Sequence, residues 1–118
     1  MALPQRATQA GLINNFPPEI SRAILARFAE DTAETRTELA GYFTPEHGFS
    51  TVTSLNSLDG IRIFFDNGEI AHLRPSGNAP QLRIYSVADT QERADEIVAL
   101  AIAEPDGIFR KLESSLSA

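Results

Sequence analysis

The chain has 118 residues, of which 42% are hydrophobic, so it can form one compact domain but is short for two. Its net charge of -6 and sequence pI near 4.8 disfavour nucleic acid and anionic membranes as partners. Cysteine is absent, which excludes disulfides and thiol catalysis. Apolar runs fall short of the roughly 20 residues that span a bilayer, and we expect a cytoplasmic protein.

Residues 1–18 lack a sustained apolar period and contain Pro4, Pro17 and Pro18. This pattern predicts an extended lead-in or interdomain linker, which leaves residues 19–118 as the domain. From Glu19 onward, helical spacing of apolar residues predicts an amphipathic helix through Ile20, Ile24, Leu25 and Phe28.

A second helix is predicted over residues 32–43, where Asp31 and Glu34 have the spacing of a capping box. The pattern then changes to short segments rich in β-branched and aromatic residues, which predict four strands, at residues 49–58, 61–65, 69–73 and 82–87. The turns between the first three strands are too short for helical crossovers, so these strands should form an antiparallel meander.

Asp89 and Glu92 predict the start of another helix, which carries an apolar stripe and ends before Pro105. A last short helix is predicted through Ile108, Phe109, Leu112 and Leu116. Together these elements predict an α+β domain, in which a four-stranded, mainly antiparallel sheet has helices packed on one face.

The segment Arg74–Pro80 gathers several hydrogen-bond donors between two predicted strands. Arg74 offers a guanidinium fork, Ser76 and Asn78 offer side-chain donors, and Gly77 lets the backbone approach a ligand or take a positive φ. Converging donors of this kind suit a phosphate. The same residue types also favour an ordinary rigid turn, and spacing alone does not separate the two interpretations.

With its flanks, this segment resembles the C-terminal domain of the α-D-phosphohexomutases, whose signature is Arg-x-Ser-Gly-Thr-x-Pro followed by Leu-Arg-x-Tyr. Here the signature is matched by Arg74–Pro80 and Leu82–Tyr85, and the Gly-Asn-Ala-Pro variant is most similar to the bacterial phosphomannomutases. Leu3–Thr8 and Asn15–Pro17 are also similar to the segment that precedes the last domain in those enzymes.

The resemblance implies a fold like that of the TATA-box-binding protein and a role as the last domain of a four-domain enzyme. That enzyme interconverts hexose 1-phosphate and hexose 6-phosphate, and its last domain binds the substrate phosphate and closes the cleft. Arg74, Ser76, Gly77 and Asn78 match the phosphate-binding positions, although Asn78 replaces a threonine. The resemblance implies Mg²⁺ in the parent enzyme and no cofactor in this domain, whose partners would be a hexose phosphate and the other domains.

The remaining candidates for chemistry are few. Arg83 alternates with Leu82 and Ile84, and either an ion pair with a surface carboxylate or a contribution to the phosphate loop explains it. His72 is interpreted as structural or merely adjacent to the loop, because a catalytic or metal site needs partners that the sequence does not offer. The residues predict no catalytic group, and we do not expect the isolated domain to be catalytic.

An alternative function belongs to another class. A stand-alone, non-catalytic module would bind a protein partner through the helix face of Ile20, Ile24 and Phe28, and Arg74–Pro80 would be only a turn.

Overall fold

The computed structural model describes residues 6–77 and 79–116 as an α+β domain. Five strands form one antiparallel sheet in the order β1-β5-β4-β3-β2. The strands are β1 (Ala7–Asn14), β2 (Val52–Asn56), β3 (Ile61–Phe65), β4 (Ile70–Pro75) and β5 (Gln81–Ala88). The helices are α1 (Pro18–Arg27), α2 (Ala33–Ala40), α3 (Gln91–Ile102) and α4 (Ile108–Leu116), with a 3-10 turn at Pro45–His47.

The predicted fold class is confirmed, and the strand count rises from four to five. The additional strand, β1, lies in the part of the chain predicted to be an extended lead-in, and it pairs with β5 along its full length. The first five residues of that lead-in lie outside the described residues. The predicted meander is also confirmed, since β2, β3 and β4 pair in sequence order.

Alternation along β5 separates the two faces of the sheet. Leu82, Ile84 and Ser86 are buried toward the helices, whereas Arg83 is exposed on the opposite face, as its spacing predicts. Gly11 of β1 faces the helix side, where an added Cβ would lie 2.5 Å from a methyl carbon of Val98. The missing side chain therefore lets α3 pack closely on β1.

The predicted caps of the second and third helices, Asp31 and Asp89, are each wrong by one residue. Thr32 caps α2, because its hydroxyl accepts from the Thr35 amide and the Thr35 hydroxyl accepts from the Thr32 amide. Thr90 caps α3 by accepting from the Arg93 amide. Both threonines have the extended backbone that a capping residue needs, so the hydroxyl and not the adjacent carboxylate does the capping.

The core fills the space between the sheet and the helices. Its largest fully buried side chains include Phe16, Phe28, Phe43 and Phe109. Among residues 6–77 and 79–116, none of the helices is long and apolar enough to cross a membrane.

Candidate phosphate-binding site

A cavity of about 430 Å³ lies at one end of the sheet, where β4 leads into β5. Arg74, Pro75, Ser76 and Gly77 form one wall, and the Asp59-Gly60 turn lies beside them. The α1 helix supplies the opposite wall. The loop thus lies at one end of the sheet and borders an open space large enough for a small ligand.

The position of Arg74 is set by β4 and by the preceding turn. Its Nε lies 3.3 Å from Oδ1 of Asp59, and about half of its side chain remains exposed. Gly60 has φ +73° and packs against the backbone of Leu73 and Arg74, which holds the turn directly beside the arginine. The guanidinium therefore has one carboxylate neighbour and still faces solvent with donors to spare.

The loop after Arg74 is held by backbone hydrogen bonds at its base. The Ser76 amide donates to the Gln81 carbonyl at 3.2 Å, and the Phe16 amide donates to the Pro80 carbonyl at 2.8 Å. Since Phe16 is fully buried, this second bond ties the loop to the core. The loop is thus anchored to β5 and to the segment that follows β1.

Gly77 lies at the open part of the loop. Its φ is outside the left-handed region, and a Cβ there would meet nothing within 4 Å. The described residues around Gly77 therefore do not require a glycine at this position. Asn78, the other predicted donor, lies outside the described residues.

Comparison with known proteins identifies the domain. The family described as "Phosphoglucomutase/phosphomannomutase, C-terminal domain" matches residues 25–104. This chain belongs to that family. Over 80% of its length it is 35% identical to a phosphomannomutase of Sinorhizobium fredii, and over 86% it is 36% identical to a phosphomannomutase of Salmonella muenchen.

A shorter match is a probable phosphoglucosamine mutase of Methanothermobacter thermautotrophicus, which is 41% identical over 39% of the chain and 10% of its own length. The aligned regions cover 18% and 20% of the two phosphomannomutases, so the chain spans about a fifth of the length of these curated relatives. The relationship therefore concerns one domain of longer proteins.

Arg83 is brought close to Arg74 in this phosphohexomutase domain, but on the sheet and not in the loop. The two arginines are directly opposite each other in the pairing of β4 with β5, and both are exposed. Seven of the nine arginines form ion pairs among the described residues, and Arg62 and Arg83 form none there. The surface ion pair that would explain Arg83 is thus missing from this part of the chain.

His72 has a structural environment. It is 8% exposed, its Nε2 is hydrogen-bonded to the Asp59 carbonyl, and its ring centroid lies 5.9 Å from that of Tyr85. Within residues 6–77 and 79–116, no group of three or more His, Asp or Glu side chains could hold a metal ion. These contacts support a structural interpretation of His72, which is hydrogen-bonded to the turn beside Arg74.

Another cavity of about 430 Å³ has the wrong charge for an anion. It lies between the end of α2 and the start of α4, and Glu46, Glu104 and Asp106 line it together with Lys111. Three carboxylates against one ammonium repel a phosphate. The Arg74 cavity, lined by two arginines and one aspartate, is the better anion site.

The cavity is also lined by polar side chains that the sequence does not mark as parts of a binding site, among them Ser21, Arg22 and Asp59. The position of Asp59 follows from the register, because pairing Ile61 with Leu73 brings the preceding turn beside Arg74. The position of α1 depends on tertiary packing, and the sequence carries no local signal for it.

Proposed function

We propose that this domain binds the phosphate of a hexose phosphate through the loop Arg74–Pro80, as the C-terminal domain of a longer phosphomannomutase or phosphoglucomutase. The observation that carries the proposal is the exposed Arg74 guanidinium beside Ser76 and Gly77 in one cavity wall. A guanidinium, a hydroxyl and approachable backbone amides match the several acceptor oxygens of a phosphate. Asn78 would add a side-chain amide, and Arg83 would add positive potential from the sheet.

In the longer enzyme, the domain would close over the substrate and leave the phosphoryl-transfer chemistry to other domains. Mg²⁺ would be bound by those domains, and the isolated domain would not be catalytic. These statements rest on the family relationship and on a site whose described residues offer donors for a phosphate. Titration with glucose 6-phosphate tests the binding role, and assay of the purified chain for conversion of mannose 1-phosphate tests whether it is catalytic alone.

The alternative, in which a helix face binds a protein partner, is not supported by this fold because that face is buried. Ile24 and Phe28 are each 1% exposed in the core, and Ile20 packs against it. A partner could reach this face only if α1 left the domain. No second function is therefore proposed.

The test is a titration of the ¹⁵N-labelled chain with glucose 6-phosphate, followed by amide chemical shifts. One loop supplies few contacts against the cost of association, so we expect a Kd on the order of millimolar. The shifts should be concentrated around residues 74–83. Arg74→Ala should raise the Kd by about 10- to 150-fold, which corresponds to about 1.5–3 kcal/mol for hydrogen bonds to a charged group.

Lys111→Ala is the matched control, because it also removes one positive charge but lies in α4, away from this cavity. It should bind glucose 6-phosphate like the unmodified chain. If Arg74→Ala binds as tightly as Lys111→Ala, the proposed phosphate site is wrong. Shifts spread evenly over the surface would point to non-specific anion binding and would equally contradict the proposal.

A further inference from the structure

The wall opposite Arg74 contains a buried hydroxyl without a partner. Ser21, in the first turns of α1, is 3% exposed and lines the cavity. Among residues 6–77 and 79–116, its Oγ is the one buried side-chain oxygen or nitrogen atom that has no hydrogen-bond partner. Because a buried unpaired hydroxyl costs free energy, its position at a cavity wall requires an explanation.

The hydroxyl of Ser21 makes no hydrogen bond within its own helix. A serine within a helix commonly donates to the carbonyl four residues earlier, which here is that of Pro17. That carbonyl instead accepts the Ser21 amide at 3.2 Å and the Ile20 amide at 3.0 Å. By contrast Ser86, which is also buried, donates to the Ala94 carbonyl at 2.7 Å. Ser21 therefore differs from Ser86, whose hydroxyl has a hydrogen-bond partner within the domain.

The size of the cavity exceeds what one phosphate needs. Its volume of about 430 Å³ falls in the range of sites that hold a small organic molecule. If the phosphate lies against Arg74, the rest of the ligand must extend toward α1. The residues there are Pro18 and Leu25, which are apolar, together with Ser21 and the exposed Arg22.

We propose that the α1 wall is a sugar subsite, in which Ser21 forms a hydrogen bond with a hydroxyl group of the phosphorylated sugar. Apolar surface from Pro18 and Leu25 suits the C–H face of a pyranose, and a serine hydroxyl both donates to and accepts from a sugar hydroxyl. The Oγ atom is fully buried as it stands, so this contact requires a change of the Ser21 χ1 rotamer that brings Oγ to the cavity. This inference rests on the proposed function, because the phosphate at Arg74 positions the sugar.

Two ligands separate the sugar contact from the phosphate contact. The ¹⁵N-labelled chain and its Ser21→Ala variant are titrated with glucose 6-phosphate and with inorganic phosphate. We expect Ser21→Ala to weaken glucose 6-phosphate binding by about two- to tenfold, the value of one hydrogen bond between neutral groups. Its affinity for inorganic phosphate should not change.

Ser86→Ala removes the same atom from a buried serine outside the cavity and is the matched control. It should bind both ligands like the unmodified chain, although it should melt at a lower temperature because it loses a satisfied hydrogen bond. Ser21→Ala should not melt at a lower temperature, since its hydroxyl has no partner to lose. This difference distinguishes a binding role from a structural one.

The outcomes are distinct for the two proposals. Equal glucose 6-phosphate affinity of Ser21→Ala and the unmodified chain overturns the sugar subsite and leaves the phosphate loop standing. Equal weakening of both ligands by Ser21→Ala also overturns it, because the serine would then act on the phosphate. Full affinity of Arg74→Ala for both ligands overturns the phosphate loop itself.

Discussion

Replacing Gly60 with alanine tests how the turn beside Arg74 is built. Gly60 has φ +73°, and an added Cβ would lie 2.1 Å from the Leu73 carbonyl oxygen and 3.2 Å from the Arg74 Cα. Both neighbours are backbone atoms of β4, a strand that is paired on both sides by β3 and β5. Neither can rotate away as the end of a flexible side chain can.

The expected cost has two parts. A non-glycine residue in the left-handed region costs about 1–2 kcal/mol. Forcing an extra methyl group into a packed region costs about 1–3 kcal/mol more. Gly60→Ala should therefore lower the free energy of unfolding by about 2–5 kcal/mol, which for a domain of this size lowers Tm by about 10–20 °C. Urea denaturation and thermal melting, both followed by circular dichroism, measure these two quantities.

Two other glycines provide matched controls for the same substitution. Gly68 has φ +88°, but its nearest neighbour is the end of the Arg6 side chain at 3.3 Å, so Gly68→Ala should show only the backbone cost of about 1–2 kcal/mol. Gly77 has neither a positive φ nor a close neighbour, and Gly77→Ala should be close to neutral. Equal losses for Gly60→Ala and Gly68→Ala would refute the argument that the β4 backbone blocks a side chain at position 60.

Arg93→Ala should lower the free energy of unfolding, measured by urea denaturation, by about 3–5 kcal/mol. The reason is that Arg93 is nearly buried, with its Nε 3.0 Å from the buried Glu69 carboxylate. A loss below about 1 kcal/mol, as for an exposed ion pair, would contradict this. Acid should destabilise the domain through Asp31 and Glu104, whose pKa values are lowered by hydrogen bonds from Arg36 and Arg110. A carboxyl group whose pKa is lower in the folded state than in the unfolded state stabilises the fold at pH values above its unfolded pKa of about 4. That stabilisation is lost as the pH falls through the folded pKa. Urea denaturation from about pH 6 to 3 should therefore show a shallower pH dependence for Asp31→Asn and Glu104→Gln, and unchanged slopes would contradict the assignment.

Most of the sheet is predictable because its strands alternate. In β3 and β5 every second residue is buried, so spacing alone reveals both the strand and its inner face. The first strand, β1, has no such signal, since its inward positions include Gly11 and its outward positions include Leu12, which is 39% exposed. Packing of α3 selects a small residue inside β1, and that requirement comes from the tertiary structure.

Helix starts are predictable only to within a residue. At both α2 and α3 an aspartate is followed directly by a threonine, and either side chain can cap a helix. Which of the two does so depends on where the backbone turns from extended to helical. That point is set by Thr32 and Thr90, whose φ and ψ are extended.

Some residues of the candidate site are close in sequence, and others are brought to it only by tertiary packing. Arg74, Ser76 and Gly77 lie within four consecutive residues, so their hydrogen-bond donors can be recognised without a structure. Asp59 reaches Arg74 only through the register of β3 with β4, and Ser21 lines the same cavity only because α1 packs beside the end of the sheet.

A loop alone supplies a set of donors for an anion, but it does not determine what else the ligand contacts. In this domain the second wall comes from α1, which adds the apolar residues Pro18 and Leu25, the unpaired hydroxyl of Ser21 and the exposed guanidinium of Arg22. The α1 wall thus adds apolar surface and a neutral hydroxyl to the charged groups of the cavity. Under the two proposals, an anionic group lies at Arg74 and the sugar hydroxyl groups lie at Ser21, and a free phosphate supplies only the first of these.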